Sequence, residues 1–180
     1  MGKLKGKSKS KARRRKRISR FKSKNVWRKK MLAKIRKNED PILREKCEDT
    51  SKDMDNILGF IKELIQVLGI SDGVGLSAPQ IGYKYKAFTI RPEGKGKSIT
   101  VMLNPMISEY GTETDWMQEG CLSFPGKIKN IERYKKLKLK YYDKNFNEYT
   151  KEFKGLEARI IQHEMDHLKG KCIFGVKEEE

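Results

Sequence analysis

Apolar and polar positions follow two different periods along this chain, and each period predicts a different kind of element. Between residues 53 and 68, apolar residues recur every three or four positions, which predicts an amphipathic helix with a packing role. Thr50 or Ser51 can cap the start of this helix, and Gly69 can end it. The positions expected to face the core are Met54, Ile57, Leu58, Ile61, Leu64, Ile65 and Leu68.

Strands are predicted where apolar residues alternate with polar ones, or form short runs bounded by turn residues. The predicted strands are residues 85–90, 99–103, 106–110, 137–141 and 149–153. Asn104 and Pro105 separate the second strand from the third, and a turn at 143–147 joins the last two. Residues 118–126 are bounded by glycine and proline, and they predict a loop with Cys121 at its centre.

A second helix is predicted over residues 156–168, with Gly170 as a suitable stop. Its apolar residues fall on more than one side, which indicates a buried helix. Polar side chains are costly there, yet this helix carries His163, Glu164 and His167. The two histidines are the only ones in the chain, and four residues apart they project from one helix face. They can bind one metal ion, and Glu164 can reach a water bound to it.

A catalytic metal site needs a third protein ligand. No third histidine follows Gly170, and few residues remain after His167 to form a second ligand-bearing helix. The third ligand is therefore expected upstream. Cys121 is the strongest candidate, because a thiolate is a good soft ligand. Cys47 and Cys172 are expected to be structural.

Charge is distributed unevenly along the chain. Residues 1–37 hold 19 of the 42 Lys and Arg residues and no acidic residue, whereas the remainder holds 23 basic and 24 acidic residues. We expect a disordered basic arm at 1–35, a globular domain at 36–176 and an acidic tail at 177–180. Within the arm, the helical spacing of apolar residues predicts a short helix that leads into the globular domain; these residues are Val26, Trp27, Met31 and Ile35.

Three interpretations of the arm stay open. It is a solvated tail, an electrostatic anchor for RNA or the ribosome, or an organelle transit segment. No apolar run is long enough to cross a bilayer, so no membrane partner is expected. Three cysteines without paired spacing indicate reduced thiols, and the cytoplasm is the expected location unless the arm directs import.

Three segments together resemble the signature motifs of the peptide deformylase family: residues 73–80, 119–123 and 163–168. They occur in the order of the family with compatible spacing, and the resemblance covers about residues 36–174. It implies a metal-dependent hydrolase that removes the N-formyl group from the initiator methionine of newly synthesised polypeptides. The fold it implies is α+β, with short antiparallel sheets around a central metal-binding helix.

The resemblance also implies roles for individual residues. Glu164 would transfer protons, while Gln80 and the backbone N–H of Leu122 would stabilise the oxyanion. Ferrous iron (Fe2+) is the implied metal, with Zn2+, Ni2+ or Co2+ able to substitute. The implied metal ligands are Cys121, His163 and His167. The residues implied in substrate binding are Val74, Gly75, Met117, Glu119, Leu156, Arg159 and Ile160, of which Arg159 would make the rim of the methionine pocket more polar.

The resemblance finally suggests how the protein meets its substrate, a nascent formyl-Met polypeptide. Many bacterial members of the family carry a long C-terminal helix that is associated with ribosome docking. This sequence ends soon after His167 without such a helix. We therefore expect the basic arm to replace it as the element that attracts the ribosome.

Overall fold

The computed structural model describes residue 13, residues 23–32 and residues 34–174. The chain divides into two compact units, Met1–Ala33 and Lys34–Glu180. In the first unit, residues 23–32 are helical, as the spacing of their apolar residues predicts. The remainder of the expected arm up to residue 33, apart from residue 13, and the acidic tail at 177–180 lie outside the described residues. No helix in the described part of the chain combines the length and apolar character needed to cross a bilayer.

The second unit contains two sheets and two α-helices among its described residues. The strands are β1 (Gly75–Ser77), β2 (Ala87–Ile90), β3 (Thr100–Tyr110), β4 (Thr114–Cys121), β5 (Phe124–Tyr134), β6 (Lys136–Tyr142) and β7 (Glu148–Lys154). The helices are α1 (Ile57–Ile70) and α2 (Gly155–Leu168), with short 3₁₀ helices at Pro41–Arg44 and Ala78–Ile81. Five strands form one antiparallel sheet in the order β1–β2–β3–β6–β7, and β4 pairs with β5 in a separate hairpin.

Helix α2 packs against strands of both sheets, and this arrangement confirms the expected α+β fold around a central helix. Its apolar side chains join those of the five-stranded sheet in one core cluster, which includes Phe88, Met102, Leu139, Phe153, Ile161 and Met165. Each such side chain contributes roughly 1.5–3 kcal/mol when it is fully buried. Gly170 follows the helix with a φ of 73°, a left-handed conformation that suits glycine and ends the helix as predicted.

Helix α1 starts later than the sequence predicts. It begins at Ile57, after Asn56 in a left-handed conformation with a φ of 57°, and it continues through the expected stop to Ile70. The expectation that Leu58 is buried is wrong, because its side chain is 73% exposed. Each residue along a helix is turned by about 100° from the last. The buried stripe that runs through Ile57, Ile61, Leu64 and their neighbours therefore leaves Leu58 on the exposed side.

The prediction of separate strands at 99–103 and 106–110 is also wrong, because one strand, β3, spans both segments. The pairing register with β6 shifts between Leu103 and Met106, so the chain bulges there instead of ending. Asn104 has a φ of 46°, and its side-chain amide exchanges hydrogen bonds with the backbone of Thr50 at 2.7 and 2.8 Å. Pro105, which has no N–H to donate, lies inside this irregular stretch.

Candidate metal centre

Three potential metal ligands converge between α2 and the β4–β5 hairpin. The Sγ atom of Cys121 and the ring nitrogens of His163 and His167 all lie within 4.8 Å of one another. The Sγ atom of Cys121 lies 3.3 Å from Nε2 of His167, and the two imidazole rings are 5.1 Å apart between centroids. One sulfur and two nitrogen ligands would leave an open position on a tetrahedral ion.

The two elements hold these ligands for different reasons. Helix α2 presents both histidines from consecutive turns, as the sequence predicts. The prediction of a loop at 118–126 is wrong, because β4 continues to Cys121 and β5 begins at Phe124. The turn is confined to Leu122 and Ser123, so Cys121 is fixed at a strand end. The N–H of Leu122 follows the ligand directly, and its role toward the oxyanion stays a prediction.

The segment around Gln80 closes another side of the site. Strand β1 leads into the 3₁₀ helix Ala78–Ile81, whose start is capped by Ser77. The backbone N–H and the hydroxyl of Ser77 both donate to Oε1 of Gln80, at 2.9 and 3.0 Å. The Nε2 group of Gln80 is thereby turned toward Sγ of Cys121 at 3.4 Å and Oγ of Ser123 at 3.2 Å. An oriented amide donor therefore lies beside the predicted metal ligand.

Glu164 lies beside the histidines and is almost fully buried. Burial raises the pKa of its carboxyl group to about 7, although the charge of His163 acts in the opposite direction. Its Oε2 atom has no hydrogen-bond partner within the described residues. A buried oxygen without a partner is costly, so its position needs a functional explanation. A water molecule bound to a metal would supply the missing donor, so the residues present fit a metal ion.

Gly75 lies directly against this carboxylate. A Cβ atom at position 75 would collide with Oε1 of Glu164 and would approach Cγ2 of Ile160 to 2.9 Å. Only glycine leaves both side chains where they are. The structure therefore brings Gly75 of the first motif together with Glu164 of the third motif and with Ile160, one turn before it on the same helix.

The carboxylate of Glu119 orients His163. Its Oε2 atom lies 3.0 Å from Nδ1 of His163. Arg133 donates to both oxygens of this carboxylate, from Nε to Oε1 and from Nη2 to Oε2, each at 3.0 Å. Burial opposes the ionisation of Glu119, but the hydrogen bonds from His163 and Arg133 outweigh it and lower its pKa to about 2. An anionic Glu119 holds a proton on Nδ1 of His163 and leaves Nε2 available for a metal.

Two buried arginines, Arg133 and Arg159, join the hairpin to α2, and we refer to them as the arginine clamp. Arg133 also donates to Asp166 at 2.6 Å, and Arg159 donates to Glu119 at 2.7 Å. Arg159 further donates to the backbone carbonyl of Asp115 at 2.9 Å and pairs with its carboxylate. The side chain of Arg159 is therefore held by protein groups and is only 5% exposed. Its predicted role at the substrate pocket stays a prediction.

The charge environment of the two histidines differs. Burial lowers the pKa of His167 to about 3, so this imidazole is neutral, as a metal ligand must be. Burial acts in the same direction on His163, but hydrogen bonds to Cys121 and Glu119 raise its pKa to about 10. The surroundings of His163 thus favour a positive charge, which a bound metal cation would also supply.

The remaining predicted substrate residues surround this cluster to different degrees. Ile160 is buried, and Val74 packs against the core cluster. Met117 of β4 and Leu156 of α2 each expose nearly half of their surface. Exposed apolar side chains of this kind suit an apolar substrate side chain, and their contact with methionine stays a prediction.

No sequence pattern indicates Arg133 of the arginine clamp, or Asp115 and Asp166, which bind the clamp. Asp166 lies inside the histidine motif, but its partner Arg133 is 33 residues away.

Cys47 is buried, and burial raises the pKa of its thiol to about 11. Cys172 lies closer to the site than expected, since its Sγ is 3.7 Å from Nδ1 of His167.

Comparison with known proteins identifies this arrangement. A family model described as polypeptide deformylase matches residues 32–178. A peptide deformylase of Thermotoga sp. (strain RQ2) is 39% identical over 143 residues, which is 79% of this chain and 85% of the relative. Peptide deformylase 1 of Clostridium perfringens (strain 13 / Type A) is 40% identical over 141 residues, covering 77% of this chain and 93% of the relative.

Solved structures agree with these relatives. The peptide deformylase of Thermotoga maritima superposes with a TM-score of 0.72 at 38% identity, covering 77% of this chain and 92% of that one. A class I type b peptide deformylase from Acinetobacter baumannii, solved with Met-Ala-Ser bound, has a TM-score of 0.70 at 28% identity, covering 77% and 93% of the two chains. The chain belongs to the peptide deformylase family, metal-dependent hydrolases that remove the N-formyl group from nascent polypeptides.

Proposed function

We propose that this chain removes the formyl group with Cys121, His163 and His167 as metal ligands and Glu164 as the group that transfers protons. The observation that supports this most strongly is the buried Oε2 atom of Glu164, which lacks a partner in the described structure and belongs to a residue adjacent to a ligand. The catalytic domain in this proposal comprises residues 36–176.

The protein groups act on a water molecule and on the formyl amide of the substrate. A divalent metal held by the three ligands would polarise the formyl carbonyl and make a water nucleophilic near neutral pH. Glu164 takes a proton from the attacking water and returns one to the nitrogen of the leaving amine, so formate and a free N-terminus are formed. Its pKa of about 7 suits both transfers.

Two donors stabilise the negative charge that develops on the formyl oxygen. The Nε2 group of Gln80 is already oriented toward Cys121 by the two hydrogen bonds from Ser77. The backbone N–H of Leu122 is the second donor. Donors that are fixed before the reaction need no reorganisation when charge develops, which is why such groups contribute strongly to catalysis.

The substrate peptide adds to the edge of the sheet at Gly75, where the absence of a side chain allows close approach. The methionine side chain enters a pocket between α2 and the hairpin. Its proposed lining is Val74, Met117, Leu156 and Ile160, with Glu119 and Arg159 beside it. The related enzyme from Acinetobacter baumannii, which has Met-Ala-Ser bound, supports a peptide that begins with methionine.

The decisive assay measures formate release from formyl-Met-Ala-Ser by the full chain, purified without oxygen and loaded with Fe2+. Acetyl-Met-Ala-Ser is the matched control, because its larger acyl group tests whether the site is built for formyl. We expect rapid release of formate and little release of acetate. Equal rates on the two peptides, or no formate release, would contradict the proposal.

We propose Fe2+ as the native metal, because the resemblance to the peptide deformylase family implies it and the one thiolate and two imidazoles are compatible with it. Zn2+, Ni2+ and Co2+ fit the same ligand set and serve as substitutes. Metal analysis of protein purified without oxygen identifies the bound ion. A ferrous site with a thiolate ligand is open to oxidation, so activity of the iron form should decay in air while that of the nickel form persists.

The basic arm is proposed to bring the enzyme to the ribosome, where nascent formyl-Met chains emerge. Its supporting observation is the contrast between 19 basic residues in 1–37 and the near-neutral remainder of the chain. Clustered Lys and Arg residues neutralise RNA phosphates and release counterions. If six to ten of these charges contact phosphate, the affinity falls by roughly 10³–10⁵ between 50 and 200 mM salt.

Ribosome co-sedimentation across salt concentrations, with and without residues 1–30, tests this recruitment. We expect deletion to abolish salt-sensitive binding while turnover of a free formyl-Met tripeptide persists. Unchanged binding after deletion would remove the arm from this role. Uptake of the full chain by isolated organelles, with cleavage inside the arm, would instead support the transit interpretation.

A further inference from the structure

A cavity lies away from the metal centre, where the first residues of β3 meet α1 and the adjoining ends of β6 and β7. Its volume is about 510 Å³, within the range of small-ligand sites. Apolar and aromatic side chains form much of its lining, among them Ile65, Ile99, Val101, Tyr141 and Tyr149. None of these residues takes part in the deformylase chemistry proposed above.

Three lysines surround this apolar lining: Lys97, Lys144 and Lys151. In the described part of the chain, Lys144 and Lys151 form no ion pair, and Lys97 has only an exposed one with Glu93 at 3.9 Å. An anion can therefore bind here without breaking a strong pair. This cluster of positive charge belongs to a part of the chain that is close to neutral as a whole.

The one acidic residue that lines the cavity is Asp143, and its carboxylate already accepts hydrogen bonds within its own turn. Asp143 accepts hydrogen bonds from the backbone N–H groups of Asn145 and Asn147 at 2.8 and 2.9 Å. These bonds hold the turn that carries Lys144 at the cavity. Asp143 therefore helps to position a cation, and the cavity keeps an excess of positive charge.

The aromatic part of the lining has a defined geometry. Tyr141 and Tyr149 are stacked, with ring centroids 5.7 Å apart and an angle of 24° between the rings. The Nζ atom of Lys151 lies 5.0 Å from the centre of the Tyr149 ring. Lys151 is exposed, so its ammonium can move to a bound anion and leave the ring free to stack on a planar group.

We propose that this cavity binds one nucleotide unit of single-stranded RNA. The base stacks on Tyr149 above the apolar lining, and the adjacent phosphate pairs with Lys144 and Lys151. An acidic peptide would use the lysines but not the flat aromatic surface. Stacking combined with backbone charge is the usual basis of single-strand recognition. The cavity is open to solvent, so the rest of the strand can extend away from it.

The test uses the full chain and a short oligouridylate that contains 4-thiouridine, with affinity and photo-crosslinks measured together. Tyr149→Leu removes the stacking ring, and Tyr149→Phe keeps it. We expect the first variant to weaken binding by about 5- to 100-fold and the second to leave it unchanged. Crosslinks should map to Tyr149 or its neighbours, and formate release should be normal in both variants.

The phosphate contact is tested by Lys144→Gln combined with Lys151→Gln. Loss of this single phosphate contact should reduce the slope of log affinity against log salt by about 0.7, which is the contribution of one phosphate of a single strand. Lys52→Gln combined with Lys62→Gln is the matched control, with the same change in net charge elsewhere on the surface. The basic arm is present in all variants and contributes equally to each.

Several outcomes would overturn the proposal. Crosslinks confined to residues 1–37 would assign all RNA binding to the arm. Equal affinities of Tyr149→Leu and the unmodified chain would exclude stacking. Competition by polyglutamate as effective as that by RNA would show a site for acidic peptides, and tight binding of free uridine monophosphate without the oligonucleotide would show a site for small nucleotides.

Discussion

Helices α1 and α2 have the same length of 14 residues but bury different kinds of side chain. The buried residues of α1 are all apolar: Ile57, Phe60, Ile61, Leu64, Val67 and Leu68. Helix α2 buries apolar residues too, but with them it buries Arg159, Gln162, Glu164 and His167. Since burying a polar group without a partner is costly, α2 needs a specific set of partners that α1 does not.

The partners of α2 come mostly from the hairpin. Gln162 exchanges two hydrogen bonds with the backbone of Tyr134, at 2.8 and 3.1 Å, and Arg159 is bound by Asp115 and Glu119. The exception is Oε2 of Glu164, which lacks a partner in the described structure. The comparison teaches that the polar side chains of a buried helix can all find partners except at the atom that we propose takes part in proton transfer.

The largest expected effect is a loss of turnover when Glu164 is substituted, which substitution of another acidic residue of α2 should not cause. Glu164→Gln should retain metal but lower turnover of formyl-Met-Ala-Ser by about 10²–10⁴-fold or more, because an amide cannot accept the proton. Glu157→Gln, an exposed change in the first turn of the same helix, is the control and should be neutral. Formate release and metal content are measured together. Near-normal turnover of the first variant would remove Glu164 from proton transfer.

A second prediction concerns Cys121, the metal ligand that we propose the hairpin contributes beside the histidines of α2. Cys121→Ala should weaken metal binding by more than about 10²-fold, since even outer partners of metal ligands are worth about 10–100-fold. Cys47→Ala is the neutral control and should keep the metal, whereas Cys172→Ala should weaken metal binding less than Cys121→Ala does, because its Sγ contacts only the outer nitrogen of His167. Metal analysis of the three purified variants decides the question, and equal occupancy in all of them would be incompatible with Cys121 as a ligand.

The arginine clamp gives the third prediction. Arg159→Met should lower the free energy of unfolding by about 3–5 kcal/mol, because Glu119 and Asp115 lose a buried partner. Arg159→Lys should recover part of this loss, since an ammonium cannot bind both carboxylates with the same geometry. Urea unfolding measures the effect. A stable Arg159→Met variant with a raised KM would instead place Arg159 at the substrate, as the sequence alone suggests.

The fourth prediction tests α1 as a helix with a packing role alone. Leu64→Ala should lower the free energy of unfolding by about 2–5 kcal/mol, because it leaves a cavity in the core. Leu58→Ala, on the exposed side, should change it by less than about 0.5 kcal/mol. Both should have normal formate release per folded molecule. A selective loss of turnover in Leu64→Ala would mean that α1 influences the site.

Sequence patterns predict the two helices, most strands and the convergence of Cys121, His163 and His167. The reason is that these features depend on local spacing or on a choice among few chemically suitable residues. Three cysteines and two histidines leave little freedom once a metal is invoked. The α+β fold, by contrast, is what the resemblance to the peptide deformylase family implies, and the structure confirms it.

The features that escape prediction depend on pairing between distant parts of the chain. The glycine and proline residues at 118–126 predict a loop, yet this segment lies inside the β4–β5 hairpin. Its strands exist because β4 and β5 pair along their whole length. Likewise, no local pattern places Arg133 beside Glu119 and Asp166, and Arg159 could not be distinguished from a pocket residue until its partners were known.

The contact between Gly75 and Glu164 has a consequence for comparing relatives of this protein. One added methyl group at position 75 would displace the carboxylate or Ile160, although it would leave every metal ligand intact. Under the proposed role of Glu164, a gene copy with alanine at this position would keep the three metal ligands but move the group that transfers protons. The codon for residue 75 is therefore worth inspecting together with the histidine motif, which such a copy would still contain.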